Sequence, residues 1–162
     1  MKALIVSDTH GMDNNLYKVI KKVGSIDMLI HAGDIQGSER DIENAVLGCA
    51  VKMVTGNNDY GSPLSSVEEF EFDGYQVLLT HGHRDGVYYG TDRLMYKAAE
   101  LGANIVIYGH THMPSVEYDP DLHVWAVNPG SLSLPRQDGR RPSFAIMETD
   151  RFGEVHFTVN FL

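Results

Sequence analysis

Cysteine is all but missing from this chain. Cys49 stands alone, so no internal disulfide, no thiolate metal site and no two-cysteine redox pair can form, and Cys49 is expected to pack as a small buried hydrophobe. Basic residues are also scarce: 13 Lys and Arg face 22 Asp and Glu, a formal net charge of −9. That balance repels phosphate backbones and anionic lipid, so neither extended nucleic acid nor a membrane surface is an expected partner. Long apolar runs are absent too. Nothing approaches the ~20 residues of a membrane span. The opening run Ala3–Val6 meets Asp8 too soon to form a secretory leader, and the expectation is a soluble cytoplasmic protein. Repeats, low-complexity tracts and linkers are lacking as well. So are the G-x-S-x-G nucleophile elbow and the G-x-x-x-x-G-K-[ST] phosphate loop, which removes support for serine hydrolysis and nucleotide-kinase chemistry.

What is present reads as one domain over residues 1–162. Hydrophobic residues make up 43% of the chain, close to a globular average and enough for a core. Ala3–Val6 and Met28–Ile30 are continuous apolar runs, the pattern of strands covered on both faces, and Val51–Val54 gives a third strand. Between them, Leu16, Val19, Ile20 and Val23 recur at helical spacing before Gly24, and 39–46 is a short helix. This alternation implies right-handed crossovers and parallel strands. Then the pattern changes. Phe70–Phe72 and Val77–Leu79 flank Asp73-Gly74, a pair suited to a tight hairpin. A helix over 94–101 stops at Gly102 and leads into strand 105–108. Strands at 115–118, 123–127, 144–147 and 155–161 close the chain, the last alternating apolar and polar residues. The class is α/β with mixed pairing.

The reactive side chains collect behind the strands: Asp8 and His10 after the first, Asp34 after the second, Asn57, Asn58 and Asp59 after the third, His81 and His83 after the hairpin, His110 and His112 after strand 105–108. Carboxyl ends of strands in α/β sheets converge on one crevice, where ligands bind. Two carboxylates and several imidazoles gathered there without a lysine demand a cation, because an unpaired buried carboxylate costs several kcal/mol. The mixed carboxylate, amide and imidazole set suits Mn, Fe, Zn or Ni better than an all-oxygen calcium site. Seven candidate ligands favour two divalent ions, with Mn first and Mg also compatible. A metal pair clamps and hydrolyses phosphoesters.

These blocks resemble the calcineurin-like metallophosphoesterases, whose pattern is D-x-H, G-D, G-N-H-D/E, a lone His after a strand, and G-H-x-H. Here they read Asp8-Thr9-His10, Gly33-Asp34, Gly56-Asn57-Asn58-Asp59, His81 and Gly109-His110-Thr111-His112, in the family's order across residues 8–112. The short length, Asn128-Pro129-Gly130-Ser131 and the strand-rich tail are similar to the small prokaryotic phosphodiesterase branch, which a eukaryotic retromer-subunit scaffold also resembles. The resemblance implies a layered sandwich of mixed β-sheets flanked by helices. It implies Asp8, His10 and His112 on one metal, Asn57, His81 and His110 on the second, and Asp34 bridging both. It also implies attack on a small phosphodiester by a hydroxide that the two metals activate.

One position departs. The family's histidine, the donor to the leaving oxygen, is Asn58 here, and an amide cannot act as an acid. His83 shares a face with His81 in an extended segment and is the candidate substitute. Asp59 loses its histidine and is left to cap its loop. Arg84 and Arg136 are further candidates for substrate phosphate. His31 reads as structural, His123 and His156 as surface or sheet residues, and Asn128–Ser131 as a turn. Two rivals remain in view. The metallo-β-lactamase motif H-x-H-x-D-H fails at Gly86 and strands Asp8, His10 and Asp34 without a role. A non-catalytic protein-interaction module of the same fold, with a degenerate pocket, is the alternative that Asn58 keeps open; a homo-oligomer is compatible with either.

Overall fold

Apolar strands without alternation need cover on both faces. The computed structural model, which describes residues 1–162, provides it with two five-stranded sheets packed face to face and helices on their outer sides. In chain order the elements are β1 (Lys2–Val6), α1 (Asn14–Val23), β2 (Met28–His31), α2 (Glu39–Ala45), β3 (Ala50–Met53), β4 (Val67–Phe72), β5 (Tyr75–Thr80), a 3-10 turn (Val87–Tyr89), α3 (Asp92–Glu100), β6 (Ile105–Ile107), β7 (Ser115–Asp119), β8 (Val124–Asn128), β9 (Ser143–Thr149) and β10 (Val155–Phe161). One sheet has the order β10-β9-β1-β2-β3 and the other β4-β5-β6-β8-β7. Pairing is mixed in both, as expected: β1-β2-β3 and β5-β6-β8 run parallel, while β9, β10, β4 and β7 add antiparallel partners.

The period of two in each strand divides its side chains between layers. Ala3 and Ile5 of β1, with Met28, Ile30, Ala145 and Met147, face Phe72, Val77, Leu79, Ile105 and Ile107 of the opposite sheet. Their neighbours Leu4, Val6, Leu29, Phe144 and Ile146 face outward onto Leu16 and Val19 of α1 and Ile42 of α2. In the second sheet Leu78, Val106 and Ala126 meet Leu94, Met95 and Ala98 of α3 in the same way. Both parities are therefore apolar. Each fully buried Leu, Ile or Val removes apolar surface worth roughly 1.5–3 kcal/mol.

Local signals behave as their chemistry dictates. Asp73 and Gly74 both take positive φ, 47° and 91°, the left-handed pair that a two-residue hairpin requires between Phe72 and Tyr75. Gly24 ends α1 at φ 75° with its N–H bonded to the Ile20 carbonyl. Three expectations need correction. The third strand runs over Ala50–Met53, one residue earlier than 51–54, and is an edge strand: Ala50 is exposed and Val51 and Lys52 only half-buried, because nothing pairs beyond β3. In β10 the alternation fades after Thr158, since Val159, Asn160 and Phe161 are all partly covered. Cys49 is half-buried at the rim of the α1–α2 layer rather than enclosed in it.

Candidate metal centre

The carboxyl ends of the parallel strands meet at one rim of the sandwich, and both sheets contribute. Asp8 and His10 follow β1, Asp34 follows β2, Asn57 follows β3, His81 follows β5, and His110 and His112 follow β6. Turning these side chains inward immediately after a strand takes unusual backbone. Nine non-glycine residues have positive φ, and five of them are Asp8 (55°), His10 (50°), Asp34 (57°), His110 (66°) and His112 (60°). Such conformations cost on the order of 1–3 kcal/mol each and persist only where the surroundings enforce them. Backbone strain is thus concentrated at the rim. Space is equally tight there: a Cβ on Gly56 would overlap the Asp34 carboxylate, and one on Gly109 would overlap Ser7.

Contacts join all seven residues. One ligand atom each from Asp8, His10, Asp34 and His112 lies within 4.8 Å of the others. The Asp8 Oδ1 atom is 3.1 Å from His112 Nε2, and His10 Nε2 is 3.4 Å from the same nitrogen. Asp34 Oδ2 is 3.8 Å from His10 Nε2 on one side and 3.5 Å from His81 Nε2 on the other. His81 Nε2 is in turn 3.2 Å from Asn57 Oδ1, and the His81 and His110 rings are 5.1 Å apart. Tyr88 packs edge-on to His110 and donates its hydroxyl to the His110 carbonyl at 3.0 Å.

Two histidines have their tautomers fixed from behind. His81 Nδ1 donates to the Ala32 carbonyl at 2.7 Å and His112 Nδ1 to the Leu134 carbonyl at 2.6 Å. A carbonyl only accepts, so the proton of each neutral ring sits on Nδ1, and each Nε2 turns a lone pair toward the carboxylates. Acceptor then faces acceptor. Buried Asp8 Oδ1 has no hydrogen-bond donor at all. Such an arrangement is uncompensated unless a cation lies among these atoms, and nitrogen, carboxylate and amide oxygen together are the donor set of a transition-metal or zinc-like ion.

The charges agree. Burial works against ionisation of Asp34, yet the neighbouring His81 ring and two hydrogen bonds from Asn58 hold its carboxyl far below the usual range. Burial likewise opposes protonation of His81, but Asp34 and Asp8 outweigh it and raise the pKa of that ring. For two other rings burial prevails: it lowers the pKa of His10 despite the nearby carboxylates and, with His81, brings His110 down to about 4.

Around this centre the remaining candidates fall into place unequally. Asn58 is not idle: its backbone N–H donates to Asp34 Oδ1 at 2.8 Å and its side-chain amide to Oδ2 at 2.7 Å. Asp59 caps its loop, accepting the Gln36 and Gly56 amides at 2.6 and 2.7 Å. His83 stands 5.5 Å from the His81 ring and 6.0 Å from His110, with Nδ1 unpartnered. Arg84 is exposed and lines an open groove with Asn57 and His83, while the Arg136 guanidinium donates to the Tyr88 hydroxyl. His123 and His156 are exposed, as expected. The turn reading of Asn128–Ser131 is incomplete, because Asn128 and Ser131 are buried and bonded to the ligand loops. Ser7, Tyr88, Ser133 and the Leu134 carbonyl escaped sequence reasoning altogether, since no motif marks a hydroxyl or a carbonyl that works through tertiary contact.

His31 is structural, and it sets an acid limit on the fold. It is fully buried beside Thr9 and the Gly33 amide, and burial lowers its pKa from 6.5 to about 4. Between those values the unfolded chain binds a proton that the folded chain refuses. Stability is therefore complete above about pH 6.5 and declines as pH falls toward 4. Thermal melts at pH 7.5 and pH 5 should show a smaller acid-induced drop in Tm for His31→Gln than for the parent. Equal drops would remove His31 from the account.

Carboxylates, imidazoles and an amide at the strand ends of a two-sheet sandwich make a candidate metal centre. Residues 1–151 match the calcineurin-like phosphoesterase superfamily domain, and the chain belongs to that superfamily of metal-dependent phosphoesterases. It is 32% identical to the probable metallophosphoesterase YsnB of Bacillus subtilis over 91% of this chain and 83% of that protein. Among solved structures it is similar to a conserved predicted phosphoesterase from Streptococcus pneumoniae, with a TM-score of 0.81, 29% identity and coverage of 99% of this chain and 88% of that one. The fold is also that of an Entamoeba histolytica Vps29 mutant, at TM-score 0.79 and 21% identity, covering 100% of this chain and 99% of the other. No helix is long and apolar enough to cross a membrane.

Proposed function

We propose that this protein is a dinuclear metal-dependent phosphodiesterase that hydrolyses small phosphodiesters. The observation that carries the reading is that two buried carboxylates each approach both His10 and His81: Asp34 Oδ2 is 3.8 and 3.5 Å from their Nε2 atoms and Asp8 Oδ1 is 3.9 Å from each, with Asp34 the nearer of the two. A carboxylate there could be shared by two cations. Asp8, His10 and His112 would hold one ion, Asn57, His81 and His110 the other, with Mn first and Fe, Zn, Ni or Mg as alternatives. Bound there, two divalent ions would lower the pKa of water and offset charge on the phosphoryl oxygens. The chain's own residues do the rest. Asn58 holds the Asp34 carboxylate in orientation through two hydrogen bonds. His83, unpartnered at Nδ1 beside His81 and His110, is the histidine proposed to pass a proton to a leaving oxygen. A diester brings one negative charge, which suits an acidic protein whose nearby cations, Arg84 and Arg136, stand at the periphery.

The non-catalytic module is favoured by a single feature, the missing acid at Asn58, and one assay separates the readings. Metal-stripped protein reloaded with Mn²⁺ is expected to cleave bis(p-nitrophenyl) phosphate well above a protein-free blank and to lose that activity on chelation. No cleavage above the blank with Mn, Fe, Zn, Ni or Mg would overturn the enzyme in favour of the module.

A further inference from the structure

Left-handed ligand residues need something to hold them, and for Asp8 and the 109–112 segment the hydrogen bonds of the 128–136 loop identify it. Ser131, fully buried, donates its hydroxyl to the Asp8 carbonyl at 2.8 Å across 123 residues of sequence. The same oxygen accepts the Leu134 N–H at 2.8 Å, and the Leu134 carbonyl accepts His112 Nδ1 at 2.6 Å. One hydroxyl therefore links the backbone of Asp8 to the ring of His112, whose facing atoms are the acceptor pair 3.1 Å apart. Ser133 donates to the same Asp8 carbonyl at 2.8 Å, although its own hydroxyl has no connection to Leu134. Asn128 ties the other side, its amide donating to the Gly109 carbonyl at 2.9 Å and to Thr111 Oγ1 at 3.0 Å. The loop is itself anchored, since Ser143 donates to the Pro129 carbonyl at 2.8 Å and a Cβ on Gly130 would overlap Ser143.

Resting on the metal-centre reading above, we propose that Ser131 is a positioning residue that fixes Asp8 and His112 together for one of the two metal ions. It touches neither substrate nor metal. The chemistry asks for a small buried hydroxyl that donates and accepts at once. Alanine can do neither, whereas the Ser133 hydroxyl is replaceable in part, because Ser131 still serves the Asp8 carbonyl.

The test is calorimetric titration of Mn²⁺ into metal-stripped protein, with melting of the stripped forms alongside. Ser131→Ala is expected to weaken one binding step by about 10–100-fold, the range typical of groups that orient metal ligands, and to leave the other step unchanged. Ser133→Ala should weaken the same step by a smaller factor. A role confined to folding predicts instead a lower Tm of the stripped Ser131→Ala protein with both Mn²⁺ steps intact, and that result overturns the proposal. Should Ser131→Ala fail to fold, Ser131→Cys, a weaker donor of similar size, takes its place with an intermediate loss expected and unchanged affinity counting against the idea. Wild-type protein that binds no Mn²⁺ would overturn the metal-centre reading itself, an outcome distinct from wild-type binding that the variant matches.

Discussion

Replacing Asp34 by Asn should cost more than about 100-fold in Mn-supported bis(p-nitrophenyl) phosphate turnover and lower retained metal in the same preparation. The floor comes from groups that merely orient ligands, whose loss already costs about 10–100-fold; a direct ligand shared by two ions loses more. The structure explains why a near-isosteric change is so damaging. Asp34 Oδ1 accepts the Asn58 backbone N–H, so an asparagine oxygen keeps that bond. Its amide nitrogen then replaces Oδ2, which now lies 2.7 Å from the Asn58 side-chain nitrogen, 3.5 Å from His81 Nε2 and 3.8 Å from His10 Nε2. A donor would sit where a cation-binding lone pair is needed, against another donor. Flipping the amide only moves the conflict to the Asn58 backbone. Metal content after dialysis, measured beside turnover, checks the result; a variant that keeps both would show that Asp34 is not the shared ligand.

The second large effect concerns the leaving group. Asn58→His should speed cleavage of alkyl diesters by up to about 10²–10⁴-fold, the usual contribution of a positioned general acid, with little gain on p-nitrophenyl esters. Nitrophenolate departs unaided and alkoxide does not. Because histidine keeps the backbone N–H of residue 58, Asp34 keeps its 2.8 Å bond to that amide and loses only the side-chain one. His83→Ala is the companion variant: it should slow alkyl diesters selectively if His83 is the stand-in donor. Rates for a series of diesters graded by leaving-group pKa make the comparison. Equal factors for good and poor leaving groups would exclude an acid role at either position.

Much of this protein can be read along the chain. The continuous runs at β1, β2 and β6 announce strands apolar on both faces, Asp73-Gly74 announces a hairpin, and Gly24 ends a helix, each through chemistry confined to a few neighbouring residues. The candidate ligands were legible for the same reason, because short blocks directly behind strands keep their spacing whatever the tertiary arrangement. Asn58 was half legible. Its inability to donate a proton is a property of the side chain, but its grip on Asp34 depends on a residue 24 positions away. His83 follows from its spacing to His81; its distance to His110 does not.

Sequence alone indicated the order of strands and helices though not their exact ends, which acidic, amide and imidazole groups stand at strand ends, and that so acidic a gathering calls for a cation. Tertiary structure alone decided which strands join in each sheet, that β9 returns beside β1, and that the 128–136 loop thereby reaches Asp8 and His112. The division has a physical cause. Periodicity and turn chemistry act over a few residues, whereas left-handed ligand backbones and the Ser131 hydroxyl that restrains them gain their meaning only when segments more than 100 positions apart are packed into contact.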